Sequence, residues 1–442
     1  MDKWITRAFF GLAGIGLLLT LAGCSPAATE TIVVQEGAVS TNTAQPSATA
    51  APEMEEAAED DMDGGAGGPQ PPAESDERGG GDPDEPLVDT EFQASLSAGE
   101  IDDNEDFAAY MQYRADYERF VGMGNIPDVE VRGRQVIRVV NAQELPVLTA
   151  EVFIYAGQEL VTRLLTDASG TVYFHPEAYP RDASTYTVSI RHGQAEESFT
   201  LDPAQSAEWT VALNTAPTEA PVNLDIVFLV DTTYSMDDEI AQLKDNILSI
   251  SAQIRALPAQ PNVRYGLVLF RDRGDIYVTR TYEFTDDVDA FQQVLLNVRA
   301  EGGGDIPESL NEGLYRAVAE MDWRIEDTVS LLFLVSDAPP QLAYEQDYSY
   351  INQMQQAAEL GITIHPIASS GLTADGEYIF RQIAQFTGGN FIFLTYEDQP
   401  QESTGEPGRD DVSVPEGSFT VEDLDVLVTR LIEEEIAQLF GQ

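Results

Sequence analysis

The chain of 442 residues has little of three things: cysteine, basic side chains and long apolar runs. It contains one cysteine, which excludes any internal disulfide, so its folded parts depend on burial. Its 23 lysines and arginines stand against 77 aspartates and glutamates, a formal net charge of −54 at pH 7. That charge disfavours nucleic acid as a partner and favours cations or basic surfaces.

The amino terminus contains the longest apolar stretch. Lys3 and Arg7 precede it, and it spans residues 8–21, which is typical of a secretory signal and too short for a convincing membrane span. It ends in Leu21-Ala22-Gly23-Cys24, which resembles the bacterial lipobox. By that resemblance residues 1–24 are a lipoprotein signal peptide and Cys24 is acylated. The protein is then predicted to be lipid-anchored in the cell membrane, facing outward. An uncleaved anchor helix is the alternative.

Two further segments precede the regions of regular pattern. Residues 25–100 are rich in Ala, Thr, Ser, Pro, Gly, Glu and Asp, a composition that cannot bury a core, so we predict a disordered acidic linker. Residues 101–127 are predicted to hold an amphipathic helix with Phe107, Tyr110 and Tyr117 on its packing face.

Residues 128–214 alternate between apolar and polar positions in several short runs separated by turn signals, which predicts a series of β-strands. The run from Thr166 to Gly170, followed by Val172 and Phe174, resembles a hairpin of carboxypeptidase-regulatory-like or transthyretin-like sandwiches, which implies an all-β sandwich. His175 and His192 stand alone there, and we expect both at the surface.

Residues 222–442 alternate apolar runs with helical periods, which predicts βα units and a doubly wound, mostly parallel sheet. The fold class is therefore α/β, preceded by the sandwich and the linker. The parallel strands are predicted at residues 224–230, 265–270, 331–335, 363–368 and 391–394, with an antiparallel edge at 276–284.

The first of these strands stops at a carboxylate, Asp231, followed by the hydroxyls of Thr233 and Ser235. Ligands of open parallel sheets bind outside the carboxyl ends of the strands. Magnesium prefers oxygen ligands in octahedral geometry, so this pattern predicts a site for a hard cation. Since an aspartate after a strand is also a common helix cap, a site that has lost its metal is the alternative.

Three loops in order resemble the von Willebrand factor type A domain, in particular a bacterial and hemicentin-like subgroup. They are Asp231 to Ser235, the glycine-rich run from Glu301 to Glu308, and Leu332 to Pro340. The resemblance implies a metal-ion-dependent adhesion site with Asp231, Thr233, Ser235 and Asp337 around Mg²⁺, or alternatively Mn²⁺ or Ca²⁺. Asp305 stands where the family usually has a threonine, and we include it in the predicted site.

The predicted function is that of a lipid-anchored cell-envelope protein that binds a protein partner, through an Asp or Glu carboxylate, at this site. A metal-independent structural scaffold of the cell envelope is the alternative. Catalysis is disfavoured: Gly302-Gly303-Gly304 lacks the ending of a phosphate-binding loop, and His365 lies inside an apolar strand pattern. By the family resemblance, the last helix, at about residues 421–439, is a candidate for a moving element.

Overall fold

A large sheet with helices on both faces forms the centre of the computed structural model. The structure describes residues 96–179, 183–304, 306–344, 347–395 and 421–441. Cys24, the predicted signal peptide, nearly all of the predicted linker and Asp305 lie outside these residues. Within the described ranges, every helix is too short or too polar to cross a membrane.

The described chain begins with a strand, β1 (Ser97–Ile101), and a helix, α1 (Phe107–Phe120). The carboxylate of Asp106 accepts a hydrogen bond of 3.0 Å from the backbone N–H of Ala109, so the helix begins there and not at residue 101. Its buried face carries Tyr110, Tyr113 and Tyr117. Strand β1 is a correction to the predicted domain bounds, since it begins within the segment predicted as a disordered linker. It is ordered because Leu96 and Ala98 are buried.

The sandwich consists of a three-stranded and a four-stranded sheet that share one apolar core. In chain order its strands are β2 (Gln135–Val140), β3 (Glu151–Ala156), β4 (Glu159–Leu165), β5 (Thr171–Phe174), β6 (Tyr186–His192), β7 (Ala195–Leu201) and β8 (Glu208–Ala212). The sheet orders are β5-β2-β8 and β4-β3-β6-β7, and all pairs except β2 with β8 are antiparallel.

The prediction of a hairpin at residues 166–174 is wrong, because β4 and β5 lie in different sheets and do not pair with each other. The turn that joins them is held by one of its own side chains. Asp167 accepts hydrogen bonds from the backbone N–H groups of Ser169 and Thr171, both at 2.9 Å. Gly170 has a φ of +73°, and a Cβ there would lie 2.5 Å from the carbonyl oxygen of Val139. Only glycine fits at this position, which is why the turn motif is readable in the sequence.

The sandwich packs on the second half of the chain, and this overturns the prediction that His175 lies at the surface. Its imidazole is buried and stacks on Phe386 at 4.7 Å between ring centroids. Burial lowers the pKa of His175 to about 3, so the ring is neutral. The contact joins the end of the β5 segment to a helix that follows much later in the chain, and sequence spacing does not indicate such a pairing.

The second half alternates strands with helices. The elements are β9 (Asn223–Asp231), α2 (Asp237–Ala256), β10 (Asn262–Phe270), β11 (Thr279–Thr285), α3 (Val288–Leu296), α4 (Leu310–Tyr315, continued by a π-helical turn at Arg316–Glu320), β12 (Thr328–Ser336), α5 (Tyr350–Leu360), β13 (Ile362–Ala368), α6 (Ala374–Thr387), β14 (Phe391–Thr395), β15 (Val421–Asp423) and α7 (Leu424–Gln438).

The eight strands of the large sheet lie in the order β11-β10-β9-β12-β13-β14-β1-β15. Five neighbouring strands, β10, β9, β12, β13 and β14, are mutually parallel. On one side β11 pairs antiparallel with β10, and on the other β1 pairs antiparallel with β14 and with β15. In β9, Ile226 and Phe228 point into one apolar core, whereas Val227 and Leu229 point into the other. Helices cover both faces, so the predicted doubly wound α/β fold class is confirmed.

Strand β1 ties the segment before the sandwich into this sheet. It pairs antiparallel with both β14 and β15. Glu100 accepts a hydrogen bond of 2.7 Å from Arg430 of α7, and the backbone N–H of Leu424 donates to the carbonyl oxygen of Leu96 at 2.8 Å. The sandwich is therefore an insertion between β1 and β9, and the sheet is incomplete without residues that precede the sandwich.

We expect Leu96→Ala to destabilise the protein by about 2–4 kcal/mol, because it removes a side chain that is 1% exposed in the core of the large sheet. The matched control is Leu160→Ala on β4, where the leucine is 45% exposed and the cost should stay below about 0.5 kcal/mol. Chemical denaturation of the full chain measures both. Equal costs would show that β1 adds nothing to the core.

Candidate metal centre

An open cleft lies beyond the carboxyl end of β9, near the meeting point of three loops, and residues of the first loop and of the glycine loop line it. The first loop comprises residues 232–236, the glycine loop 301–304 and the third loop 337–340. The cleft has a volume of about 400 Å³. Its lining consists of Thr233, Tyr234, Ser235, Gly302, Gly303, Gly304, Ile306 and Glu308. The predicted edge of the sheet therefore does carry a concave site.

Asp231 is the last residue of β9 and is fully buried. Its Oδ1 accepts hydrogen bonds from the backbone N–H and the hydroxyl of Thr233, at 2.9 and 2.7 Å. Its Oδ2 accepts one from the hydroxyl of Ser336 at 2.8 Å. Burial and the neighbouring Asp337 raise the pKa of Asp231 to about 7. The carboxyl group is thus fixed in place and costly to ionise without a compensating positive charge.

The two hydroxyls of the first loop lie together beside this carboxylate. The Oγ1 of Thr233 and the Oγ of Ser235 are 3.2 Å apart, and Thr233 is buried whereas Ser235 faces the cleft. The structure therefore brings Asp231, Thr233 and Ser235 into one group, as predicted from their spacing.

Asp337 follows β12 and lies close to this group. It is 4% exposed, and its Oδ1 has no hydrogen-bond partner. Burial raises the pKa of Asp337, opposed by a hydrogen bond from Ser235. A buried carboxylate oxygen without a donor is unusual, and it marks a position where a proton or a cation would be stabilised.

Glu308 is a residue of the site that the sequence analysis did not include. It is 3% exposed, lines the cleft, and its Oε2 has no hydrogen-bond partner. Burial raises its pKa to about 8, with further contributions from Asp231, Asp272, Asp275 and Asp337. Glu308 is the last residue of the glycine-rich run that begins at Glu301, so the sequence motif contains it. Nothing in the sequence pattern indicates that its carboxyl group turns inward.

The backbone around Glu308 explains its position. Its N–H donates to the carbonyl oxygen of Pro339 at 3.1 Å, and its carbonyl oxygen accepts from the N–H of Gln341 at 2.7 Å. These bonds join the segment after the glycine loop to the third loop. A Cβ on Gly303, whose φ is +73°, would lie 3.1 Å from the Cβ of Thr233 and 3.4 Å from the Oε1 of Glu308. Glu308 and the first loop therefore face each other across this glycine.

Two aspartates after β10 hold segments around the cleft: Asp275 holds the glycine loop, and Asp272 holds residues that follow it in the chain. Asp275 accepts a hydrogen bond of 2.9 Å from the N–H of Gly303. A Cβ on Gly302, whose φ is +81°, would lie 2.4 Å from the Oδ1 of Asp275, so the contact requires glycine there. Asp272 accepts hydrogen bonds from Ser309 at 2.8 Å and Tyr344 at 2.6 Å. The carboxylate oxygens of Asp272 and Asp275 therefore accept hydrogen bonds from groups of the protein and keep these segments in place.

The donor set suits a hard cation. Within the described ranges, no three acidic, histidine or cysteine side chains form a metal-binding group by themselves. A cation in the cleft would therefore depend on the hydroxyls of Thr233 and Ser235 in addition to the carboxyl groups of Asp337 and Glu308. All of these donors are oxygens, which Mg²⁺, Mn²⁺ and Ca²⁺ prefer, and the unpartnered oxygens of Asp337 and Glu308 have lone pairs available.

Residues 225–396 match the family model of the von Willebrand factor A domain. The chain is 27% identical over 162 residues to the alpha-protein kinase vwkA of Dictyostelium discoideum, covering 36% of this chain and 25% of that protein. It is 36% identical over 117 residues to the human von Willebrand factor A domain-containing protein 7, covering 26% of this chain and 12% of that protein. The chain thus spans a quarter or less of these relatives.

Among solved structures, the chain is similar to a conserved hypothetical protein, BatB, from Bacteroides thetaiotaomicron. The similarity covers 50% of this chain and 100% of that chain, at 13% identity and a TM-score of 0.33.

Glu308→Gln is expected to change how stability depends on pH in the absence of divalent cations. The pKa of Glu308 rises from its ordinary value of 4.5 in the unfolded chain to about 8 in the folded protein. Between these values the folded protein holds a proton that the unfolded chain has released. The free energy of unfolding therefore falls as pH rises, by up to about 1.4 kcal/mol per pH unit.

The glutamine variant lacks this titration, so its stability relative to the wild type should increase steadily from about pH 5 to about pH 8. Urea denaturation of both proteins in EDTA measures the difference. A difference that stays constant with pH would contradict the inward, solvent-shielded position of Glu308.

Proposed function

We propose that this protein binds a protein partner through a divalent cation held in the cleft, a function supported by the match of residues 225–396 to the family model of the von Willebrand factor A domain. Domains of this family generally mediate protein–protein interactions and are generally non-catalytic, and we propose no catalytic step. The proposed cation is Mg²⁺, with Mn²⁺ and Ca²⁺ as alternatives. The partner would contribute an Asp or Glu carboxylate.

One observation carries the proposal: the buried carboxyl groups of Asp231, Asp337 and Glu308 lie near one another at the cleft, whose described lining carries no positive charge. Asp231 and Asp337 are at most 4% exposed, as is Glu308, and no lysine or arginine lines the cleft among the described residues. Groups in such surroundings are stabilised by protons or by a cation. A divalent cation is the compensating charge that also fits the hydroxyls of Thr233 and Ser235.

Each residue has a distinct role in this proposal. Thr233 and Ser235 would offer neutral hydroxyl ligands, and Asp337 and Glu308 would offer carboxylate oxygens. Asp231 would hold Thr233 in place through its two hydrogen bonds, with Asp305 as a further candidate ligand from the sequence. When bound, the cation provides a coordination position for an oxygen from outside the chain, such as a partner's carboxylate.

The metal-independent scaffold remains the second candidate, and one observation favours it. Both oxygens of Asp231 already accept hydrogen bonds, from Thr233 and from Ser336, so this carboxyl group is satisfied without a metal. In this case the cleft would keep its shape through protons on the carboxyl groups. Cation binding separates the two candidates.

The location in the envelope is likewise proposed. A signal segment at residues 1–24 that ends in a lipobox-like motif supports acylation of Cys24 and attachment to a membrane, with the folded part facing outward.

We expect Asp231→Ala to abolish the binding of Mg²⁺ and Mn²⁺ to the full chain, because Thr233 loses the group that positions it. Ser336→Ala should weaken binding about 10- to 100-fold, since Ser336 orients Asp231 without reaching the cation. Asp289→Ala, an equal charge change on the exposed surface of α3, should leave it unchanged. Isothermal titration calorimetry measures all four proteins.

Two results would count against the cation site. One is that the wild type shows no measurable binding of Mg²⁺ or Mn²⁺ up to about millimolar metal, well above the range of tight oxygen-ligand sites. The other is equal binding by the wild type and Asp231→Ala. Either result would leave the metal-independent scaffold as the better description.

Cys24→Ser should prevent acylation, because serine has no thiol for the thioether bond. The full chain would be produced in a bacterium fed an alkyne-labelled palmitate, with Ser25→Ala as the neighbouring control. We expect label and membrane association in the wild type and in Ser25→Ala, and neither in Cys24→Ser. A labelled Cys24→Ser protein would disprove the predicted lipid attachment.

A further inference from the structure

Two large apolar side chains line the mouth of the cleft and are unusually exposed. Tyr234 of the first loop is 69% exposed, and Ile306, which follows the glycine loop, is 58% exposed. We call Tyr234 and Ile306 the apolar rim.

The shared position of these two side chains at the cleft distinguishes them from other exposed apolar residues. Within the described ranges, exposed residues such as Phe120 on α1, Leu160 on β4 and Leu296 on α3 do not line the cleft. Single exposed apolar side chains are normal, whereas a group bordered by polar residues marks an interaction site. Contact with an apolar side chain of a partner would remove the rim from water and stabilise the complex.

The floor of the cleft differs sharply from its rim. Thr233, Ser235 and Glu308 supply only oxygen, and none of the described residues that line the cleft is a lysine or an arginine. With a formal net charge of −54, the chain also repels a partner segment that carries several acidic residues. The best complement is a single carboxylate directed at the floor, with uncharged apolar neighbours that contact the rim.

The size of the cleft limits what can enter. A volume of about 400 Å³ is in the range of sites for small ligands and suits a few side chains of a protruding segment. Gly304 leaves its side of the cleft open, since a Cβ there would meet nothing within 4 Å. An extended segment can therefore approach the backbone of the glycine loop closely.

We propose that the partner presents its carboxylate on an extended segment whose side chains next to that acidic residue are apolar, and that Tyr234 and Ile306 select for them. This rests on the cation-dependent binding proposed above and adds the chemistry of the partner. The cation would bind the carboxylate, and the apolar rim would select among the partner segments that carry one.

The test uses three fluorescent, blocked peptides and the full chain with Mn²⁺ or with EDTA, by fluorescence anisotropy. The first peptide has aspartate flanked by leucines, the second has aspartate flanked by glycines, and the third has asparagine flanked by leucines. We expect the first to bind about tenfold more tightly than the second in the wild type, as the burial of a few apolar groups predicts.

In a Tyr234→Ser, Ile306→Ser double variant this advantage should fall below about threefold, while calorimetry shows unchanged Mn²⁺ affinity. Tyr234→Phe should retain the advantage, because it keeps the apolar ring. Ile325→Ser, which removes an exposed isoleucine away from the cleft, should also retain it.

The outcomes separate this proposal from the one it rests on. If both aspartate peptides bind equally and only with Mn²⁺, cation-dependent recognition stands and selection by the rim is overturned. If the advantage survives in the double variant, Tyr234 and Ile306 are not its source, and the proposal is overturned. If no aspartate peptide binds with Mn²⁺, or the asparagine peptide binds equally well, carboxylate recognition itself is wrong and the rim proposal is overturned with it.

Discussion

The carboxylate of Asp231 holds the cleft together because its two oxygens accept from different elements. Thr233 donates to one oxygen from the first loop, and Ser336 donates to the other from the end of β12. A fully buried carboxyl group that lost either donor would be costly, so the hydrogen bonds fix the two elements relative to each other. The nearby Asp337 adds a like charge that these donors cannot neutralise. The same contact therefore gives the cleft its shape and its need for positive charge.

The second constraint is the close approach of the glycine loop to its neighbours. Gly302 and Gly303 both have positive φ angles and would clash with Asp275 or crowd Thr233 if they carried a Cβ. Because the loop is held from outside by Asp275, Glu308 can turn inward and Ile306 outward within three residues. One short segment thus contributes the carboxyl group of Glu308 to the cleft and the apolar side chain of Ile306 to its mouth, and the position of this segment depends on its glycines.

The sequence was sufficient for the parts of the fold that depend on local pattern. The buried parallel strands read as apolar runs, and Asp231, Thr233 and Ser235 share a loop, so their proximity follows from spacing. Glu308 escaped prediction because its direction depends on hydrogen bonds with the third loop, more than thirty residues away. Strand β1 and the buried His175 escaped for the same reason: each is ordered by partners from the far end of the chain.

The place of β1 also determines how the molecule would bear mechanical force. Ser97 pairs with Thr395, so the chain enters the large sheet at the edge where the cleft lies. Tension between the segment before β1 and a partner in the cleft would cross the sheet laterally, through the backbone hydrogen bonds that link β1 to β9 by way of β14, β13 and β12. The sandwich lies outside this path, so the hydrogen bonds of the sheet would bear the tension while β1 stays paired. Once β1 detaches, the covalent chain would route the same tension through the sandwich.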